Sequence, residues 1–411
     1  MPRWQLPPNI SDALPVEARQ IEDLRRTLLD HCRAYGYELI SPPLIENLDA
    51  LLTGSGSRMA LRTFKTVDQL TGLTLGVRAD MTPQAARIDA HMLNHEGTTR
   101  LCYAGSVLHT LPSALRATRE PVQLGAELFG HRGLEADLEI LELMLESLRL
   151  AGMRELRLDL AHSALVPALL AMAGSSGQWP PAGFDADELY GLLVQKDASG
   201  LKRMLVDCPA QVRDALVALP SLYGPVGPGD MRVLDEARRV LPRSAAIDAA
   251  LADLAELIGS ALWGRLGGVE LSIDLADLQG YHYYSGVSFA AFGAGANGHA
   301  MHAEALARGG RYDGIGAAFG RARPAVGFSL ELRTLVALAG GAGTGVRPKA
   351  IRAPWVDDAA LRVAIAALRS SGDIVVQALP GHEPEPQEFD CAFELVERDG
   401  RWEVIDLIGR E

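Results

Sequence analysis

The chain is predicted to have an α+β fold, because strand-like and helical segments alternate irregularly along most of its 411 residues. A run rich in alanine and leucine, about 163–266, has a helical pattern and separates two groups of strands. The later stretch GGAGTGVRP has the composition of a flexible linker. We therefore expect a main domain over 1–340 with a helical insertion, a Gly-rich linker over 341–349, and a small α/β module over 350–411.

The spacing of apolar residues predicts the elements that begin the main domain. In SDALPVEARQIEDLRRTLLDHCRAYG, apolar residues recur at intervals of three and four from Ile21 to Cys32, which predicts a helix ending at Gly36. YELISPPLIE predicts a strand that enters a Pro-Pro turn, and FKTVDQLTGLTLGVRAD predicts a hairpin with a polar turn. MTPQAARIDAHML predicts a helix with Pro83 in its first turn.

The later elements are predicted from the same helical and strand-like spacing of apolar residues. TRLCYAGSVLHT and PVQLGAELFG are strand-like and flank the loop LPSALRATRE, and LEADLEILELMLESLRLAG is an amphipathic helix. ELRLDLAH precedes the insertion as a strand, and GVELSIDLADL and VSFAAF follow it as strands. The final module is predicted as strand, helix, strand and a hairpin that turns at Asp399-Gly400.

Composition excludes several classes of function. The formal net charge of −13 provides no general attraction for the phosphate backbone of nucleic acids. The four cysteines are scattered and form no CxxC pair, which argues against a zinc site or a disulfide framework and fits a reducing compartment. No signal-peptide pattern and no apolar run near the ~20 residues of a membrane helix is present. We expect a soluble cytoplasmic protein with no metal, nucleic-acid or membrane partner.

Two polar groups stand out in the first half of the chain. In VRADMT, Asp80 and Thr82 can point the same way and bind an ammonium group, or one of them can cap the helix that follows. In QLGAELFG, Gln123 and Glu127 share one face of a strand, and Gly125 between them leaves space for a ligand. A polar ligand, a buried water or an internal network could each satisfy this pair.

Two further groups lie in the second half. In QGYHYYSG, Tyr283 and Tyr284 can form flat walls with hydroxyl donors, or can be ordinary core residues. His282 has no second ligand at a metal-like spacing. In ARGGRYDGIGAAFG, the paired glycines allow a close backbone approach, and Arg311 and Tyr312 could face a ligand; an ordinary tight turn is the alternative.

In this order, the motifs resemble those of histidyl-tRNA synthetases. YGYELISPPLIE is similar to class II motif 1, YAGSVLHT with VQLGAELFG to motif 2, and QGYHYYSGVSF to the histidine-recognition motif. GGRYDG followed by PAVGFSLELRTL resembles the end of the catalytic domain. The resemblance covers roughly residues 5–335. It implies a class II aminoacyl-tRNA synthetase-like antiparallel sheet flanked by helices, and a homodimer formed near Tyr37 to Glu46.

Three arginines that are typical of the histidyl-tRNA synthetases are replaced in this sequence. Gln279 replaces the arginine that opens the histidine motif, His109 replaces the arginine of motif 2, and Thr334 replaces the arginine of motif 3. Adenylate formation needs fixed cations that stabilise negative charge on phosphates. Because three cations are absent together, we expect no catalytic residues and no cofactor.

The positions that match the family's histidine contacts are kept. This pattern resembles the regulatory subunits of ATP phosphoribosyltransferase, a paralogous family of histidine biosynthesis. The resemblance implies a non-catalytic subunit that a short-form catalytic subunit requires for activity in the first pathway step, and that confers feedback inhibition by L-histidine within a hetero-octamer. The histidine-binding residues it implies are Asp80, Thr82, Gln123, Glu127, Tyr283, Tyr284, Arg311 and Tyr312.

Two other classes of function compete with this hypothesis. A divergent histidyl-tRNA synthetase, or another ATP-dependent paralogue that activates an amino acid, would still need a nucleotide site. A free-standing amino-acid-binding protein would have no phosphoribosyltransferase partner. The absent arginines and the short acidic C-terminal module count against the synthetase.

Overall fold

The computed structural model describes residues 5–53, 56–112, 117–175, 179–181, 183–278, 284–295, 304–340, 349–380 and 390–407. The chain forms two compact units, residues 1–341 and 342–411. Within the described ranges, no helix is long and apolar enough to cross a membrane.

The first unit contains a large sheet and a small one. Their strands are β1 Glu38–Leu39, β2 Ile45–Asn47, β3 Lys65–Val67, β4 Thr74–Val77, β5 Thr99–Ser106, β6 Val122–Phe129, β7 Arg154–His162, β8 Tyr223–Val226, β9 Val269–Asp274, β10 Val287–Ala294, β11 Ala307–Arg311 and β12 Ala325–Glu331. Over the part of the chain described, the large sheet has the order β1-β5-β6-β12-β11-β10-β7-β9-β8. Its β1–β5 and β7–β9 pairs are parallel and the others are antiparallel. The mainly antiparallel sheet agrees with the predicted class II fold.

Helices flank this sheet and fill the insertion. They are α1 Pro15–Ala34, α2 Leu48–Leu52, α3 Gly56–Arg62, α4 Thr82–Arg87, α5 Leu134–Leu150, α6 Leu165–Gly174, α7 Ala186–Val194, α8 Ala198–Met204, α9 Ala210–Ala218, α10 Arg232–Val240, α11 Ala245–Ile258, α12 Leu262–Leu266, α13 Ile315–Ala318 and α14 Leu332–Leu338. A π-helical turn, Ile88–Leu93, continues α4. The predicted break YGPVGPGD contains β8, which pairs with β9, so the insertion is not purely helical.

The two faces of the large sheet are packed differently. On one face, Leu124, Ala126 and Leu128 of β6 join the main apolar core, against which α1 and α5 pack. On the other face, a smaller apolar cluster combines α4 and α13 with Tyr103 and Tyr312. Because side chains alternate along a strand, the polar residues of β6 fall on this second face.

The Pro-Pro turn in YELISPPLIE separates two short strands. β1 lies at the edge of the large sheet, beside β5. β2 belongs to the three-stranded sheet β2-β4-β3, where β3 and β4 form the predicted hairpin. Proline cannot donate to a strand ladder, so Pro42 and Pro43 end one strand before the next begins.

The second unit has a four-stranded sheet and one helix. Its strands are β13 Lys349–Ala353, β14 Val375–Gln377, β15 Asp390–Arg398 and β16 Arg401–Asp406, and its helix is α15 Ala359–Ser370. The strand order is β14-β13-β15-β16. Asp399 and Gly400 have φ of +49° and +75°, as a tight hairpin turn between β15 and β16 requires.

Candidate functional site

The neighbouring strands β5, β6, β12 and β11 form the floor of the candidate site. Gln123, Gly125 and Glu127 share the face of β6 opposite to the main core, as their spacing predicts. Across the ladder, Tyr103 of β5 is paired with Gly125, and Gly327 of β12 is paired with Glu127.

Glycine is required at two points of this floor. A Cβ atom on Gly125 would lie 2.5 Å from the Tyr103 hydroxyl and 2.7 Å from the carbonyl oxygen of Phe328. A Cβ atom on Gly327 would lie 2.6 Å from the Glu127 Cδ atom. These two positions therefore make room for the tyrosine and the carboxyl group.

Glu127 is the buried centre of a hydrogen-bond network, with 1% of its surface exposed. The Tyr103 hydroxyl donates to Glu127 Oε1 at 2.8 Å, and the Tyr312 hydroxyl donates to Oε2. The Thr82 and Tyr103 hydroxyls lie 3.0 Å apart. Burial raises the pKa of Glu127 to about 8, although hydrogen bonds from Tyr312, Tyr103 and Thr82 oppose the shift.

This raised pKa predicts that Glu127 makes the folded chain less stable as pH rises. Between the ordinary pKa of 4.5 and the folded value of about 8, the folded state keeps a proton that the unfolded chain has released. The free energy of unfolding should therefore fall across this window by up to about 1.4 kcal/mol per pH unit. Chemical unfolding below and above neutral pH should show that Glu127→Gln removes this dependence; identical slopes in both proteins would contradict it.

Asp80 organises the other end of the network. Its Oδ1 atom accepts hydrogen bonds from the Thr82 backbone N–H and hydroxyl, both at 3.1 Å, and from Gln123 Nε2 at 2.9 Å. Gln123 Oε1 accepts from the Met81 N–H at 3.0 Å. Asp80 therefore binds the first turn of α4, and Gln123 belongs to an internal network, two of the alternatives that the sequence left open; binding of an ammonium group by Asp80 and Thr82 stays a prediction.

The predicted tyrosines and Arg311 have different positions. Tyr284 packs against the smaller apolar cluster; burial raises the pKa of its hydroxyl, and the charges of Asp80 and Glu127 add to the shift. Tyr312 reaches Glu127, as described above. Tyr283 lies outside the described residues.

Arg311 donates to the carbonyl oxygens of His131 and Gly133, each at 3.1 Å, and to the buried carboxylate of Asp137. Its described contacts therefore do not bring it into the Glu127 network.

A cavity of about 460 Å³ adjoins this network. Asp80 and Gln123 line it together with His109 and Thr334, two positions where the resemblance expects arginines. His109 is buried, with a ring nitrogen 3.0 Å from the carbonyl oxygen of Ala79. Burial, and then the charge of Arg62, lowers the pKa of His109, so the imidazole is neutral at neutral pH. This side of the cavity thus has no cation at either position.

Sequence reasoning missed Tyr103 as a member of the site. The signal was present in the strand TRLCYAGS, where Leu101, Tyr103 and Gly105 alternate with core residues. Its partner Glu127 lies on the next strand, so the contact depends on strand register. Among the residues the structure describes, no group of three or more His, Cys, Asp or Glu side chains is placed to hold a metal ion.

Two family models match the chain. The histidyl-tRNA synthetase family matches residues 9–335, and the ATP phosphoribosyltransferase subunit HisZ C-terminal domain matches residues 348–405. The ATP phosphoribosyltransferase regulatory subunit of Ralstonia nicotianae is 54% identical over 98% of both chains. The protein of the same description from Cupriavidus necator is 52% identical, also over 98% of both.

Solved structures agree with these matches. An ATP phosphoribosyltransferase regulatory subunit/histidyl-tRNA synthetase from Bacillus halodurans has a TM-score of 0.75 at 25% identity, covering 93% of this chain and 94% of that one. Histidyl-tRNA synthetase from Nostoc sp. PCC 7120 has a TM-score of 0.72 at 17% identity, covering 96% and 91%, and shows the shared fold alone.

Fold and site together define a class II protein of the histidyl-tRNA synthetase type, which confirms the predicted fold class. Within that class, the chain belongs to the ATP phosphoribosyltransferase regulatory subunit family. This membership confirms the predicted family and its regulatory, non-catalytic role, and it counts against the divergent synthetase.

Proposed function

We propose that this chain assembles with a short-form ATP phosphoribosyltransferase catalytic subunit and transmits inhibition by L-histidine, which binds at the Glu127 network. One observation carries the proposal. A buried carboxyl group with two tyrosine donors lies beside Asp80 and Gln123. The same cavity is lined by neutral His109 and by Thr334, at positions where the synthetases have the arginines of motifs 2 and 3.

The geometry supports one orientation of the ligand. The imidazole of L-histidine can exchange a proton with Glu127 and hydrogen-bond Tyr284 or Tyr312. The α-ammonium group can replace the internal donors on Asp80 and meet Thr82 or Gln123. Hydrogen bonds to charged groups are stronger than neutral ones, so this exchange of partners can be favourable.

Reconstitution tests the proposed function. The chain should co-purify with a short-form catalytic subunit, increase the rate at which that subunit joins ATP to phosphoribosyl pyrophosphate, and make the rate sensitive to L-histidine. The family suggests a hetero-octamer, which light scattering of the complex would check. A chain that neither binds the catalytic subunit nor alters its rate would refute the proposal.

We predict no histidine-dependent exchange of pyrophosphate into ATP. Of the arginines that the sequence offers as replacements for the missing cations, Arg119 donates to the His109 carbonyl oxygen at 3.0 Å and Arg333 pairs with Glu17 at 2.9 Å, whereas Arg116 lies outside the described residues. Losing even one neutral hydrogen-bond donor to a developing negative charge costs about 10²–10³-fold in rate. An active histidyl-tRNA synthetase assayed in parallel is the positive control, and exchange above background would support the divergent-synthetase hypothesis.

We also propose that the chain forms a homodimer through the region of β1 and β2. Leu39, Leu44 and Ile45 are exposed there, and an edge strand with exposed apolar side chains favours association. We expect a dimer by light scattering and a monomer for Leu39→Glu combined with Ile45→Glu. Leu150→Glu, which changes an exposed leucine at the end of α5, should remain dimeric. A monomeric wild-type chain would contradict this surface.

A further inference from the structure

Arg308 is a cation on the floor of the proposed histidine site. It is paired across β11 and β12 with Ser329, and Ser329 is paired across β12 and β6 with Gly125. Residues in one such row share a face of the sheet, so Arg308 lies on the same face as Glu127. The adjacent strand β10 places Ala290 beside it. No motif in the sequence singled out this position.

The contacts of Arg308 leave donors available for a ligand. Its Nη1 atom lies 3.2 Å from Asp277 Oδ2, and its side chain is 34% exposed. A guanidinium group has five N–H donors in a planar fork, so one carboxylate partner does not saturate it. Arg308 lines the wide cavity that contains Asp80 and Gln123, and also a small pocket that contains Tyr284.

The charges that act on the Tyr284 hydroxyl also indicate that Arg308 lies near Asp80 and Glu127. After burial, the charges of Asp80 and Glu127 raise the pKa of the Tyr284 hydroxyl, and the charge of Arg308 opposes them. Asp80, Glu127 and Arg308 are thus all near enough to act on the charge of one hydroxyl group. A ligand carboxylate between Asp80 and Asp277 would be repelled unless a cation faced it.

We infer that Arg308 binds the α-carboxylate of the ligand, so that the site selects a free α-amino acid over an amine with the same ring. The inference rests on the proposed function and supplies the carboxylate partner that His109 and Gln279 no longer provide. Arg62 also lines the cavity, but its Nη2 atom lies 3.2 Å from both ring nitrogens of His109. It is therefore the matched control for Arg308.

Calorimetry on the full chain tests the inference with L-histidine and with histamine, which keeps the imidazole and the amine but lacks the carboxylate. Wild type should bind L-histidine at least about tenfold more tightly than histamine. Arg308→Met should weaken L-histidine binding about 10- to 100-fold and change histamine binding little. Arg62→Met should retain the wild-type preference.

Two further variants separate ligand binding from structure. Arg308→Lys keeps the charge but loses the fork, so its preference for L-histidine should fall between wild type and Arg308→Met, and it serves if the methionine variant does not fold. Asp277→Asn removes the ion-pair partner and should leave the preference intact or increase it.

Three results would overturn the inference, and the experiment distinguishes them. Equal weakening of both ligands by Arg308→Met and Arg308→Lys would overturn the inference and leave the proposed histidine site standing. A loss of preference in Arg62→Met alone would assign the carboxylate to Arg62 and also overturn it. If the wild-type complex with the catalytic subunit binds no L-histidine, the proposed function and the inference both fail.

Discussion

Replacing Glu127 by alanine should weaken L-histidine binding tenfold or more and relieve histidine inhibition of the assembled phosphoribosyltransferase. Burial raises the pKa of this carboxyl group to about 8, so it holds a proton that an imidazole can share, although its two oxygens accept hydrogen bonds from Tyr103 and Tyr312. Loss of a hydrogen bond to a charged group costs about 1.5–3 kcal/mol, which corresponds to roughly 10- to 100-fold in affinity. Inhibition curves of the reconstituted complex, together with calorimetry on the subunit, measure the change.

Matched variants define what the Glu127 result means. Tyr312→Phe removes one donor while keeping the ring, so it should weaken binding less than Glu127→Ala. Glu270→Ala removes an exposed carboxylate from β9 of the same sheet and should change nothing. If Glu127→Ala and Tyr312→Phe both leave inhibition unchanged in an intact complex, the sensor lies elsewhere and this pocket is an inherited relic.

The strand periodicity of QLGAELFG was sufficient to predict that Gln123 and Glu127 share a face. It could not decide whether a ligand or an internal network satisfies them, because Tyr103 and Tyr312 reach Glu127 from positions 24 and 185 residues away along the chain. Contacts at such separations depend on which strands become neighbours, and that order is a property of the whole sheet.

The same periodicity separates Arg311 from Tyr312, which the sequence interpretation had grouped. Side chains alternate along β11, so Arg308 and Gly310 lie on the face of the site, and Tyr312, two residues further on, lies on the same face. Arg311 lies on the opposite face and contacts Asp137 of α5. The face on which Arg311 lies could have been predicted from GGRYDG, whereas its partner Asp137, 174 residues earlier in the chain, could not.

Arg311→Met should lower the free energy of unfolding by about 3–5 kcal/mol. Asp137 is 0% exposed, and its described cationic partner is the Arg311 guanidinium, so the variant leaves a carboxyl group buried without compensation. Burial already raises the pKa of Asp137, and the hydrogen bond and charge of Arg311 oppose that shift. Chemical unfolding should detect the loss, which should grow as pH rises because the pKa of Asp137 will increase further when Arg311 is absent.

Adding Asp137→Leu to Arg311→Met should restore much of this stability, because replacing both partners of a buried ion pair by apolar residues is often neutral. The double variant also separates the two roles considered for Arg311. If the guanidinium only supports α5, the double variant should bind L-histidine with nearly wild-type affinity. If stability is unchanged in Arg311→Met while L-histidine affinity falls, Arg311 contacts the ligand as the family resemblance implied, and its pairing with Asp137 is secondary.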